Sequence, residues 1–108
     1  YEENNIQNAS KYYKKAIELE PGDQESKITL ANCEYMLENY RAAIKLYEEI
    51  VKADQQQEDI YYNLGNSYYM LNELQPAISN YRLSLDLNGD NTECYYNLGN
   101  AYCILEQF

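Results

Sequence analysis

The sequence predicts an all-α fold of antiparallel helix pairs stacked in a row, and three observations lead there. The phrase YYNLGN stands at Tyr61–Asn66 and again at Tyr95–Asn100, 34 residues on. The same interval aligns Leu30, Leu64 and Leu98, then Ala9, Ala43 and Ala77, then Tyr13, Tyr47 and Tyr81. Within each period the apolar residues step by three or four, as in Leu64, Tyr68, Leu71 and then Ala77, Ile78, Tyr81, Leu85, which is helical spacing with no alternating strand pattern against it. Turn signals separate the runs at Pro21-Gly22-Asp23, Asp54 to Gln57 and Asn88-Gly89-Asp90-Asn91, with weaker breaks near Asn5, Asn39 and Asn72.

Taken in order, residues 1–23 read as the second helix of an incomplete unit, 24–57 and 58–91 as two full units of two helices, and 92–108 as the first helix of a further unit. One array therefore fills 1–108. A column of Ile6, Tyr40, Leu74 and Phe108 spans it, as does one of Leu37, Leu71 and Leu105. Asp90 and Glu93 stand three apart at a helix start, as a capping pair does, and Pro76 falls where a first turn tolerates a missing N–H. The column Ala31, Gly65, Gly99 is small, so Gly65 and Gly99 are expected to face a partner helix, near Ala77 in the middle unit.

Composition limits what such an array does. Its 108 residues, 45% hydrophobic, suffice for one domain with a core, and the fourteen Tyr against one Phe place many rings at packing edges or in a groove. Cys33, Cys94 and Cys103 are an odd, scattered set that fits a reducing compartment. With no His and no CxxC, no metal or other cofactor is expected. No stretch approaches the ~18 apolar residues of a membrane span, and Tyr1 opens without a targeting pattern, so a cytoplasmic piece of a longer chain is expected. The net charge of -10 is spread along the chain, and Lys11, Lys14 and Lys15 read as a solvated outer face, which makes nucleic acid and anionic membrane poor partners. Without His or a Gly-rich phosphate loop, and with carboxylates at helix starts, no catalytic constellation forms and no enzyme is expected.

Tyr61, Leu64, Gly65, Tyr68, Ala77, Tyr81 and Gly89, at this period, resemble the tetratricopeptide repeat over the whole chain. The resemblance implies a right-handed superhelical solenoid whose first helices line a concave, peptide-binding groove. Carried onto this sequence, the groove rows are Glu25, Asp59 and Glu93; Ile28, Tyr62 and Tyr96; Thr29, Asn63 and Asn97; Asn32, Asn66 and Asn100; and Tyr35, Tyr69 and Cys103. Amides that both donate and accept would grip a peptide backbone, and the Tyr faces would cover aliphatic or cationic stems. Chaperone-binding members clamp a terminal carboxylate with Lys, Asn and Arg, but the matching slots here hold Ile28, Glu93 and Asn97, or Tyr62 one unit later. A neutral or basic segment is therefore the expected partner.

Plainer readings stand beside these. Asn63 and Asn97 also read as surface residues repeated by duplication, and Glu25, Asp59 and Glu93 occupy first turns, where the helix dipole favours a carboxylate without any ligand. Tyr13, Tyr47 and Tyr81 read as core. The unit from Gln24 is the weakest match, with Lys27, Ala31 and Glu34 in place of the usual residues, and the surface around Lys27 and Glu34 is expected to be exposed. A second role is a structural section of a large assembly, joined through its convex face or by end-to-end self-association. Abundant Asn and Tyr with little Arg suggest an AT-rich genome such as a ciliate's, where arrays of this kind serve cytoskeletal and ciliary assemblies.

Overall fold

The computed structural model describes residues 3–107, so the expectations placed on Tyr1 and Phe108 lie outside the described residues. Six α-helices follow one another: α1 (Glu3–Leu19), α2 (Gln24–Met36), α3 (Tyr40–Ala53), α4 (Glu58–Met70), α5 (Leu74–Leu87) and α6 (Thr92–Glu106). Each packs mainly on its sequence neighbours, as short connections between antiparallel helices require. Asn5, expected as a break, lies inside α1: Asn weakens a helix only mildly, by a fraction of what Gly or Pro would cost.

Local chemistry sets the helix ends. Asp23 caps α2, its carboxylate accepting from the Ser26 amide at 3.2 Å and the Ser26 hydroxyl at 2.6 Å. These two bonds hold the Asp23 carboxyl below the ordinary carboxylate range. At α6 the cap is Asn91, accepting from the Cys94 amide at 3.1 Å, so the expected Asp90–Glu93 pair is displaced by one residue. Asp90 instead donates its amide to Asn88 Oδ1 within the turn. The turns after α2 and α4 share one construction. Glu38 and Asn72 take positive φ, 63° and 61°, while the amides of Glu38 and Asn39 return to Tyr35 and Glu34 and those of Asn72 and Glu73 return to Tyr69 and Tyr68. This left-handed residue closes the last carbonyls of each helix and sends the chain straight into the next. Pro76 lies in the first turn of α5, where its missing N–H has no intrahelical acceptor to lose.

The core runs along the stack. Ala31, Ala43, Ile44, Tyr47, Ile50, Ile60 and Leu64 fill α2 to α4, and Ala77, Tyr81 and Cys94 continue it into α6. Tyr47 and Tyr81 are buried, whereas Tyr13 of the same column is half-buried on α1, which packs mainly on α2. The small column acts against a tyrosine: a Cβ built on Gly65 would stand 2.5 Å from the Tyr81 ring. Tyr81, not the expected Ala77, is thus the neighbour that excludes a side chain there. Gly99 has nothing within 4 Å among the described residues and is exposed.

The first unit departs in the opposite sense from that expected. Glu34 is buried, accepting from the Ser10 hydroxyl at 3.0 Å and the Asn39 amide at 3.4 Å, and Lys27 is half-buried. Ser10 stands in the column of Ile44 and Ile78, and Glu34 in that of Tyr68 and Tyr102, so one apolar pair is replaced by a hydrogen-bonded pair. A buried carboxylate without those donors would be strongly unfavourable. Farther along, Arg41 pairs with Glu73 across α3 and the α4–α5 turn.

The two helical glycines generate opposed expectations in urea denaturation. Gly65→Ala is expected to lose about 1–2 kcal/mol, overpacking against the buried ring outweighing improved helix propensity. Gly99→Ala is expected to gain up to ~1 kcal/mol from propensity alone. A gain in both would mean that the Tyr81 ring does not hold its place over Gly65.

Candidate functional site

Helices α2, α4 and α6 lie side by side, and the residues aligned by the period meet across them. Across α4, α5 and α6 five side chains form a continuous chain of hydrogen bonds. The Tyr81 hydroxyl donates to Asn66 Oδ1 at 2.6 Å, and Asn97 Nδ2 donates to the same oxygen at 3.1 Å. Asn97 Nδ2 also donates to the Tyr62 hydroxyl at 3.2 Å, which donates in turn to Glu93 Oε2 at 3.3 Å. The Tyr62 ring lies 6.0 Å from that of Tyr81 at a tilt of 46°. Burial pushes the Tyr62 hydroxyl above its ordinary pKa, with the Asn66 side chain pulling the other way.

Between α2 and α4 the chain is shorter. Tyr47 donates to Asn32 Oδ1 at 2.6 Å, and Asn63 Nδ2 approaches the same oxygen at 3.5 Å. It stops there because Ile28 stands where Tyr62 stands one unit later, leaving no hydroxyl for a carboxylate to receive.

The expected site residues therefore separate by environment. Glu25, Asp59, Glu93 and Tyr96 are exposed, Tyr96 at 70%. Asn63 and Asn97 are half-buried and tied to the neighbouring helix. Asn32 and Asn66 are half-buried and already accept from core tyrosines, so their carbonyls hold the helix pairs together. Asn100 is half-buried and takes part in no side-chain bond among the described residues. Tyr35 and Tyr69 are half-buried and pack against the core clusters, Tyr35 meeting Tyr40 edge to face at 5.4 Å. Cys103 is exposed, whereas Cys33 and Cys94 are buried thiols pushed up by burial, Cys33 with Glu34 adding to the rise.

Sequence reading missed that the Tyr47 and Tyr81 column bonds the Asn32 and Asn66 column. The fixed interval from each Asn to its Tyr was the available signal. A cleft of about 680 Å³ lies away from these rows, against α1 between Lys11, Lys14, Ser10 and Glu34. It is open, its lysines are exposed, and its buried carboxylate is already satisfied. Among the described residues no helix is long and apolar enough to cross a membrane.

Burial raises the hydroxyls of Tyr47 and Tyr81 well above the ordinary 10.0, with Tyr35 adding at Tyr47 and Tyr62 at Tyr81. The unfolded chain loses these protons near pH 10 while the folded chain keeps them. Stability is therefore whole below about pH 10 and falls as pH rises above it. In an alkaline titration, part of the phenolate absorbance is expected to develop with the helical circular dichroism intact, and the share of Tyr47 and Tyr81 only as that signal is lost. Complete ionisation of a fully helical protein would contradict their burial.

Two family models match the chain, Tetratricopeptide repeat over residues 1–64 and TPR repeat over residues 65–103. A crystal structure of MamA is similar at 26% identity with a TM-score of 0.91, covering 95% of this chain, which spans 60% of MamA. MamA from Desulfovibrio magneticus RS-1, residues 41 to its end, is similar at 20% identity and TM-score 0.90, with 95% of this chain and 58% of that one covered. The first TPR of Spaghetti (RPAP3), bound to the HSP90 peptide SRMEEVD, is similar at 19% identity and TM-score 0.89, covering 95% and 82%. Comparison with curated protein sequences gave no match. The fold is thus an all-α, right-handed superhelical solenoid.

Proposed function

The chain belongs to the tetratricopeptide-repeat family, and from that premise we propose that its concave face is a groove for an extended peptide, the chain serving as a binding adaptor or scaffold without catalytic chemistry. One observation carries this reading. Side chains of one face on adjacent first helices remain exposed, while the amides beneath them are fixed by bonds to buried tyrosines. Such preorganisation lowers the ordering penalty of binding. The Spaghetti repeat carries an HSP90 peptide ending in EEVD. Here the groove offers Glu25, Asp59 and Glu93, so an acidic tail meets repulsion and a neutral or basic segment fits better. The same acidity disfavours nucleic acid and anionic membrane, and a cytoplasmic setting, cytoskeletal or ciliary, suits such an adaptor.

A second reading, a structural section of a larger assembly, draws on α6. Tyr95 and Tyr102 are exposed at 53% and 46%, and Gly99 is open, so this face fits a further helix from the same chain or another copy.

Fluorescence anisotropy with basic, neutral and acidic labelled peptide pools separates the two readings. Tyr96→Ala with Asn100→Ala touches no internal bond and is expected to weaken the best pool by at least about tenfold, ~1.4 kcal/mol. Unchanged binding by a folded double variant would move the site off the concave face.

A further inference from the structure

The hydrogen-bond chain across α4 and α6 has a direction, and Glu93 sets it. An ionised carboxylate only accepts, so the Tyr62 hydroxyl must donate to it. That hydroxyl must then accept from Asn97, whose amide nitrogen therefore faces both Tyr62 and Asn66 Oδ1. Both N–H bonds of Asn97 are consumed, and Asn66 Oδ1 is filled by two donors. At its Glu93 corner this end of the groove retains acceptors toward a ligand, the Asn97 side-chain carbonyl and the remaining lone pairs of the Glu93 carboxylate, while the amide nitrogens of Asn66 and Asn100 stay as donors farther along α4 and α6. Tyr96 follows Glu93 by three residues on the same face of α6 and is 70% exposed.

The other end differs in kind. Ile28 replaces the tyrosine, no hydroxyl ties a carboxylate to the amide row, and Ile28 packs against the core cluster with its remaining surface apolar. Carboxylates stand along the whole row, so acidity alone does not distinguish the two ends. The Tyr62–Asn97 bond does.

Resting on the groove reading above, we infer that the α4–α6 end of the groove selects a lysine or arginine side chain of the bound segment, seated between Glu93, the Asn97 carbonyl and the Tyr62 and Tyr96 rings, while the end at Ile28 takes an apolar side chain. A cation satisfies acceptors that a neutral side chain would leave desolvated, and the two rings offer their faces to its charge. The groove therefore fixes the direction of the peptide as well as its charge.

The test uses the 108-residue chain and an array of acetylated, amidated twelve-residue peptides in which lysine, arginine, norleucine or glutamate is placed at each position in turn. In the best binders one position is expected to favour lysine or arginine over norleucine by about tenfold or more. Glu93→Gln, an exposed change that leaves the core alone, is expected to abolish most of that preference, and Tyr62→Phe to reduce it. Asp86→Asn on α5 removes an equal charge outside the groove and is expected to leave it in place. An equal loss in Asp86→Asn would assign the preference to the diffuse acidic field and overturn the inference. Binding with no positional preference overturns it too, leaving the groove reading intact. No binding by any peptide overturns both.

Discussion

The contact on which the rest of this structure depends is a tyrosine lying against a helix backbone. Tyr81 rests its ring on Gly65, where even one methyl group would collide, and places its hydroxyl on Asn66. The ring supplies apolar burial and the hydroxyl finds an acceptor that keeps that burial from stranding a polar group. Tyr47 bonds Asn32 in the same way, so each helix pair is clamped by one side chain with an apolar and a polar end. Phenylalanine would fill the space without holding the asparagine.

That clamp ties the core to the half-buried asparagines of the first helices. Because the asparagine oxygen also receives the amide of the next unit's Asn63 or Asn97, the bond that closes one helix pair also registers the next first helix beside it. Where a tyrosine follows, the chain reaches Glu93 and its polarity is fixed; where Ile28 stands, it stops. Two units of near-equal backbone thus present chemically different surfaces.

The fold was legible because its signals repeat. Helical spacing, turn residues and the 34-residue columns all pointed the same way, and each column tested the others. Errors arose where a residue's environment comes from a non-repeating neighbour. Glu34 read as exposed because it departs from the tyrosine of its column, but Ser10 departs with it in the facing column, and the pair is buried together. The rows of candidate site residues could be drawn from spacing, but spacing gives no donor direction. That Asn32 and Asn66 accept from core tyrosines, and that Tyr35 and Tyr69 pack inward, depended on rotamers that the pattern of residues does not encode.

The central claim is that a core tyrosine and a surface amide belong to one network, since Tyr81 and Asn97 both donate to Asn66 Oδ1. A double-mutant cycle of Tyr81→Phe and Asn97→Ala, read by urea denaturation, tests it most directly. Coupling of about 1 kcal/mol between the two changes is expected for members of one hydrogen-bond network. Additivity within about 0.3 kcal/mol would contradict the account, leaving the tyrosine as packing alone and the groove amides as independent surface residues.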